Sequence, residues 1–313
     1  MDFGASTPAM PVFIGGFRSG TTLLVNLLGL HSDLSAWFET KAICEALRFL
    51  RVLRSPATEE LESGLVRPTS MKGFSVDAVA QRMLSDIRET AARQSGHHSS
   101  GKAPGERYPL GHDLVNYSLN EAERAISNWR VALNARPDAT TAISATGCLI
   151  RDLGVRHRSY ESKPIWINKT PEIIRFMPEL RLCLGPCLFI MMIRDGRHVV
   201  RSAARLGWAE ASEIAVWWKA IIEEARSGAS ADPGHYLEVR YEDLVARPAD
   251  EIDNILRFLQ VEPQGKELVD RYLRMLAIER LTEASSAWSD PPGADVMKFE
   301  ALVDAGFNTS LGY

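Results

Sequence analysis

Short, almost wholly apolar runs recur along the chain, each followed by a turn and then by residues with helical spacing. Met10-Pro11-Val12-Phe13-Ile14 is the first, and comparable runs occupy 164–168, 187–193 and 235–240. Runs of this length, apolar or β-branched and bounded by turn signals, predict buried strands. Apolar residues at three- and four-residue intervals predict helices over 75–93, 120–135 and 210–227, and two more over 249–260 and 265–277. Continuous apolar strands alternating with helices predict an α/β fold, a central parallel β-sheet flanked by helices on both faces. Gln94 to Gly105 is polar and glycine-rich and reads as a loop. No internal repeat and no second domain is visible. The whole of 1–313 therefore reads as one domain, with approximately 55–160 as a helical insertion.

The distinctive chemistry lies between the first strand and the helix after it. Gly15-Gly16-Phe17-Arg18-Ser19-Gly20-Thr21-Thr22 follows the apolar run and opens a second one, Leu23-Leu24-Val25-Asn26-Leu27-Leu28. Strand, glycine loop and helix N-terminus form an anion site, because helix amides supply aligned donors and a partial positive charge. Gly15 and Gly20 have the spacing of a nucleotide-binding P-loop, G-x-x-x-x-G-K-[ST]. Thr21 stands at the lysine position, however, and the cation is Arg18. A kinase or ATPase needs that lysine on its terminal phosphates, beside a carboxylate-held magnesium ion. The loop predicts an anionic ligand other than a magnesium nucleotide; the alternative is a glycine turn that only joins strand to helix.

Phe17 to Leu24 resembles the 5′-phosphosulfate loop of sulfotransferases that use 3′-phosphoadenosine-5′-phosphosulfate (PAPS), where P-[KR]-[ST]-G-T-[TS] is common and Phe17 replaces the proline. Phe189 to Ser202 is similar to the 3′-phosphate site of that family. Val239-Arg240-Tyr241-Glu242-Asp243-Leu244 and the terminal Ala301 to Phe307 are similar to later blocks. The resemblance touches about 10–50, 164–206, 235–260 and the last thirty residues, and leaves 55–160 unmatched. It implies a P-loop-type sheet and transfer of a sulfuryl group from PAPS to a hydroxyl by in-line displacement, releasing 3′-phosphoadenosine-5′-phosphate and requiring no metal. By position, the 55–160 insertion would cover the acceptor side.

The same resemblance assigns roles. Arg18, Ser19, Gly20, Thr21 and Thr22 would hold the 5′-phosphosulfate. Lys169, in the N-K-T-P segment 168–171, would face the bridging oxygen, with Arg18 assisting. Glu39, in an E-T-K resembling the E-T-R of the tyrosylprotein branch, would be the base, partly desolvated by Trp37 and Phe38. Read from the residues alone, Glu39 could equally be an acid at a helix start, and Lys169 and Lys41 solvated surface lysines. Arg194 and Ser202 would hold the 3′-phosphate and Tyr241 would touch the nucleotide. Ser286, Trp288 and Lys298 resemble late nucleotide contacts. Asp195 with Arg197 reads as a turn-shaping ion pair, and Glu242-Asp243 as an acidic helix start. Rival bases are His112, His31 and the pair His97-His98.

Composition narrows the partners. Hydrophobic residues at 45% and charged residues at 24% are those of an ordinary globular protein, and a net charge of −4 without a basic stripe disfavours nucleic acid. The sequence has no segment of the length and hydropathy of a transmembrane helix and no basic n-region of a signal peptide at Met1. Cys44, Cys148, Cys183 and Cys187 lack zinc-site partners and read as buried, reduced thiols, which fits a cytoplasmic location. The expected acceptor is the hydroxyl of a small molecule, glycan or lipid headgroup, since 55–160 holds no dense basic cluster for acidic peptides. Peptidyl tyrosine is the alternative, with a P-loop small-molecule kinase or a nucleotide sensor behind it. A homodimer is left open.

Overall fold

The computed structural model describes residues 10–37, 39–54, 75–99, 119–204, 210–278 and 305–313. The elements run β1 (Val12–Gly15), α1 (Thr21–Gly29), β2 (Leu34–Trp37), α2 (Lys41–Arg54), α3 (Val76–Ser99), α4 (Leu119–Ala135) and α5 (Ala139–Glu161). They continue with β3 (Ile165–Lys169), a 3-10 turn (Ile173–Phe176), α6 (Met177–Leu184), β4 (Leu188–Ile193), α7 (Gly196–Ala204) and α8 (Ala211–Ala229). β5 (Tyr236–Arg240), α9 (Tyr241–Ala246), α10 (Pro248–Phe258), α11 (Gly265–Ile278) and α12 (Ala305–Ser310) complete the order.

The five strands form one sheet, ordered β2-β3-β1-β4-β5, and every pairing is parallel. Both faces are covered, which is why β4, Leu188-Phe189-Ile190-Met191-Met192-Ile193, is apolar at every position and buried throughout. Side-chain alternation divides the core in two. On one face Phe13, Trp37, Trp166 and Phe189 meet α2, α5, α6 and α8, with Phe13 stacked on Phe189 at 5.8 Å and edge-on to Trp166 at 5.9 Å. On the other, Val12, Ile14, Ile167, Ile190 and Met192 meet the aliphatic sides of α1, α10 and α11. Helices α2 to α5 pack in sequence as a layer beyond the first face.

The α/β expectation and its parallel sheet are observed, with differences in detail. β2 was not among the expected strands: Leu34-Ser35-Ala36-Trp37 is short, and its buried Ser35 is held by a tertiary contact, Oγ to His157 Nδ1 at 2.7 Å. Helix α3 continues through Ser99, overrunning the first half of the segment expected as a loop. Gln94 to Ser99 contains one glycine and no proline, and an isolated glycine costs a helix only about 1 kcal/mol. The rest of that segment lies outside the described residues. Cys44, Cys183 and Cys187 are buried free thiols, and burial pushes the last two up to about 12, whereas Cys148 is exposed because it sits on the solvent side of α5.

Gly154 lets α5 approach β3. A Cβ there would lie 2.6 Å from Trp166 Cε3, against a rigid indole that cannot yield. Gly154→Ala should therefore destabilise the protein by about 1–2 kcal/mol, the overpacking cost exceeding the gain in helix propensity. Denaturant unfolding checks this; a variant as stable as the parent would show that the helix can shift away from the ring.

Candidate active site

The carboxyl edge of the sheet gathers one polar contribution from every strand. The loop after β1 brings Arg18, β2 leads to Glu39, β3 ends in Lys169, β4 runs into Arg194, and β5 into Tyr241. These line a single cleft of about 230 Å³ together with Phe17, Gly20, Thr21, Thr22, Leu23, Pro171 and Ser202. Three cations and one carboxylate face it. The carboxyl edge of a parallel sheet is where such folds bind ligands.

The glycine loop has the geometry its sequence requires. Gly20 has φ 85°, and a Cβ there would fall 2.3 Å from Tyr241 Cδ2, so no larger residue fits between the loop and that ring. Arg18 has φ 51°, an uncommon conformation for a non-glycine residue. Its Nε donates to Ser202 Oγ at 3.0 Å, joining the loop to α7. Helix α1 then begins at Thr21 with no acidic side chain in its first turn, so its positive end is not neutralised locally.

Arg194 leans on the same loop. Its Nη1 donates to the Arg18 carbonyl at 3.2 Å, and its guanidinium lies 4.2 Å above the Tyr241 ring. Burial lowers the pKa of both arginines below the usual value, and the charge of Arg18 acts in the same direction on Arg194. Arginine side chains stay protonated in proteins, so two guanidinium charges lie close together in a recess. Asp195 does not face the cleft: it accepts from the Arg197 backbone N–H and Nε, both at 2.9 Å, the turn-shaping pair expected. Glu242 braces the same turn, accepting from the Asp195 amide at 3.2 Å and from the Tyr313 hydroxyl at 2.8 Å.

Lys169 and Glu39 meet directly. Nζ donates to Glu39 Oε2 at 3.1 Å, with the lysine side chain 1% exposed and the carboxylate 37% exposed. Burial lowers the Lys169 pKa and Glu39 opposes that shift. The environment expected for Glu39 differs from the observed one. Trp37 points into the core, stacked on His157 at 5.7 Å, and Phe38 lies outside the described residues. The neighbour the structure gives Glu39 is an ammonium group.

His31 is a structural residue. Asp33 N–H donates to its Nδ1 at 3.1 Å, which leaves Nε2–H to donate to the Glu262 carbonyl at 3.1 Å. His112, Ser286, Trp288 and Lys298 lie outside the described residues, as do the side chains of His97 and His98. Lys41 is exposed at the start of α2. Phe17, Leu23 and Pro171 line the cleft without having been singled out; their adjacency to the loop and to Lys169 was the available signal. Among the described residues, no group of three or more His, Cys, Asp or Glu is placed to hold a metal ion, and no helix is long and apolar enough to cross a membrane.

Comparison with known proteins bears on the family and the fold. A Caenorhabditis elegans protein with the provisional name protein-tyrosine sulfotransferase is 30% identical over 124 residues, 37% of this chain and 47% of that one. A Caenorhabditis briggsae protein of the same name is 27% identical over 125 residues, covering 38% and 44%. The matched region is thus under half the length of these curated relatives. The sulfotransferase STF9 of Mycobacterium avium superposes with a TM-score of 0.50 at 13% identity over 97% of this chain and 77% of that one, a likeness of fold. Residues 11–264, most of the chain, match the model of the sulfotransferase family. The chain belongs to the sulfotransferase family.

Proposed function

We propose that the cleft binds PAPS and transfers its sulfuryl group to a hydroxyl. The observation that carries this reading is the Lys169–Glu39 pair, 3.1 Å apart in a cleft that also holds Arg18 and Arg194. Three cations around a glycine loop suit a ligand with two separate anionic ends. The single carboxylate beside them suits removal of a proton. Arg18 and residues 19–22 hold the 5′-phosphosulfate, and Arg194 with Ser202 holds the 3′-phosphate. Tyr241 positions Arg194 from beneath and borders the nucleotide. Ser286, Trp288 and Lys298 belong to this proposal only on the sequence resemblance.

In this reading the acceptor oxygen forms a bond to sulfur as the bond from sulfur to the bridging oxygen breaks. The acceptor proton passes to Glu39. The electron pair of the broken bond stays on the 5′-phosphate of the product, where Lys169 and Arg18 meet the growing charge. Glu39 and Lys169 thus serve opposite ends of one displacement, and their contact keeps them together before the substrates arrive.

The acceptor we favour is the neutral hydroxyl of a small metabolite, glycan or lipid headgroup. Among the described residues, four arginines of the helical layer that could attract an acidic peptide are already paired: Arg82 with Glu45, Arg88 with Glu123, Arg130 with Asp77 and Arg156 with Glu121. Peptidyl tyrosine is the second reading, supported by the names of the nematode relatives and by the segment Glu39-Thr40-Lys41. Incubation with ³⁵S-labelled PAPS and parallel panels of phenols, sugars, lipid headgroups and tyrosyl peptides separates the two. Labelling of none of the panels would remove the transfer reading.

3′-Phosphoadenosine-5′-phosphate should bind without magnesium and far more tightly than ATP, because removing the charged partner of a phosphate typically costs about 2–5 kcal/mol. Calorimetry with both nucleotides, with and without EDTA, measures this; equal affinities or a magnesium requirement would overturn it. Glu39→Gln should lower turnover by roughly 100- to 10,000-fold with little change in nucleotide affinity. Lys169→Ala should act mainly on kcat, by about 100-fold, since charge on the bridging oxygen is larger in the transition state than in the bound donor. Arg194→Ala should instead weaken binding of donor and product alike. If Lys169→Ala and Arg194→Ala both weaken binding and leave kcat alone, the division of roles is wrong.

A further inference from the structure

The catalytic-edge pair stands on two short segments, Glu39-Thr40 and Lys169-Thr170, and a third element holds them. Thr170 Oγ1 donates to the Thr40 carbonyl at 3.2 Å and accepts from the Thr40 amide at 3.4 Å. This clasp joins the residue after Glu39 to the residue after Lys169. Thr40 also points away from the sheet to α3, where Asp86 Oδ2 accepts three hydrogen bonds. The donors are Thr40 Oγ1 at 2.7 Å, the Lys41 amide at 2.9 Å and the Ala42 amide at 3.0 Å.

Asp86 therefore caps α2 from another helix, 46 residues away from Thr40 in the sequence. A cap is normally a local side chain that satisfies the first free amides of its own helix. Thr40 makes such a local contact only weakly, its Oγ1 lying 3.3 Å from the Ala42 amide. The remote carboxylate supplies a full negative charge at the positive end of α2 and orients the Thr40 hydroxyl. Because Thr40 is buried and bonded on both sides, its position follows that of Asp86, and Glu39 is the residue immediately before it.

We infer that Asp86 is a positioning residue: through Thr40 it sets the distance between Glu39 and Lys169, so that α3 of the helical layer controls the alignment of the reacting pair. The inference rests on the proposed roles of Glu39 and Lys169 for its catalytic consequence, but not for its geometry. Misplacement of a reacting group by about 1 Å can cost on the order of 100-fold in rate.

Asp86→Leu removes the acceptor, whereas Asp86→Asn keeps an oxygen able to accept the same three bonds. The first readout needs no turnover. A carbodiimide activates the half-exposed Glu39 carboxylate, Lys169 captures it as an amide, and mass spectrometry measures the yield. That yield should fall at least fivefold in Asp86→Leu and stay within twofold of the parent in Asp86→Asn. The second readout is sulfuryl transfer from PAPS to 4-nitrophenol, with calorimetric binding of 3′-phosphoadenosine-5′-phosphate as the control. Asp86→Leu should lower kcat by about 10- to 100-fold with product affinity within threefold, and Asp86→Asn should recover most of the loss. An unchanged cross-link yield in Asp86→Leu overturns the inference, as does equal loss in both variants. If Asp86→Leu does not fold, Asp86→Asn with Thr40→Val decides. Loss of the cross-link in Thr40→Val and its retention in Asp86→Asn support the linkage, and any other pattern overturns it. Absence of transfer by the parent protein counts against the proposed reaction alone, because the cross-link yield is read independently of it.

Discussion

A buried ammonium cannot stand alone. Lys169 is 1% exposed at the end of a central strand, and removing such a charge from water carries a penalty of roughly several kcal/mol. Glu39 offsets that penalty from the neighbouring edge strand, but only if the segment after β2 comes close to the segment after β3. The clasp between Thr40 and Thr170 and the parallel pairing of Trp37 with Asn168 bring it there. Much of the local architecture can be understood as the means of keeping these two opposite charges together while leaving one of them open to the cleft.

Strand register then separates the cations. Ile14 is level with Lys169 on one side of β1 and with Ile190 on the other. Arg194 lies four residues beyond Ile190, so along the strand direction its backbone is about 13 Å farther out than that of Lys169. The glycine loop spans this interval, and Arg18 at its apex reaches Ser202 and supports Arg194. One deep cation and one distal cation, bridged by a loop of amides, give a ligand with two anionic ends a single orientation. The proposed division between bridging oxygen and 3′-phosphate uses that spacing. A nucleoside triphosphate carries its charge on contiguous phosphates and has less use for a second cation set on a strand end so far beyond that of Lys169.

How much of this was legible in the sequence depended on whether the signal was local. β1, β3, β4 and β5 announced themselves as apolar runs, and the glycine loop, Lys169 and Arg194 lie at their ends. β2 did not, because four residues including Ser35 and Ala36 carry little β propensity and depend on β3 and His157 for their conformation. Helix α5 was hidden for a related reason: Gly147 and Gly154 weaken its local signal and exist for close approach to Cys183 and Trp166. The partners of Glu39 were misjudged in kind. The aromatic residues before it suggested an apolar setting, yet Trp37 packs on His157 in the core and Glu39 meets the ammonium of Lys169, a partner 130 residues away in the sequence. The link from Asp86 to Thr40 left no trace at all, since nothing in the sequence of α3 marks Asp86 rather than Asp77 as the cap of another helix.

Charge also bears on the acceptor. The cleft presents Arg18, Lys169 and Arg194 against Glu39, and the proposed donor, with its phosphosulfate and 3′-phosphate groups, would more than neutralise that excess. An acidic acceptor entering afterwards would meet a site already occupied by anion and would face Glu39 as well. Its counter-charges would have to come from the surrounding helices. There Arg51 is bidentate on Glu179 and Arg175 on Glu224, while Arg48 is held between Glu45 and Glu172. Like-charge juxtaposition costs several kcal/mol and acts against the wrong partner. Phe17, Leu23 and Pro171 give the cleft an apolar part. In the proposed reaction a neutral hydroxyl on an apolar body satisfies both conditions: it would add no charge to the anion site, and it would bring only the proton that Glu39 is proposed to take.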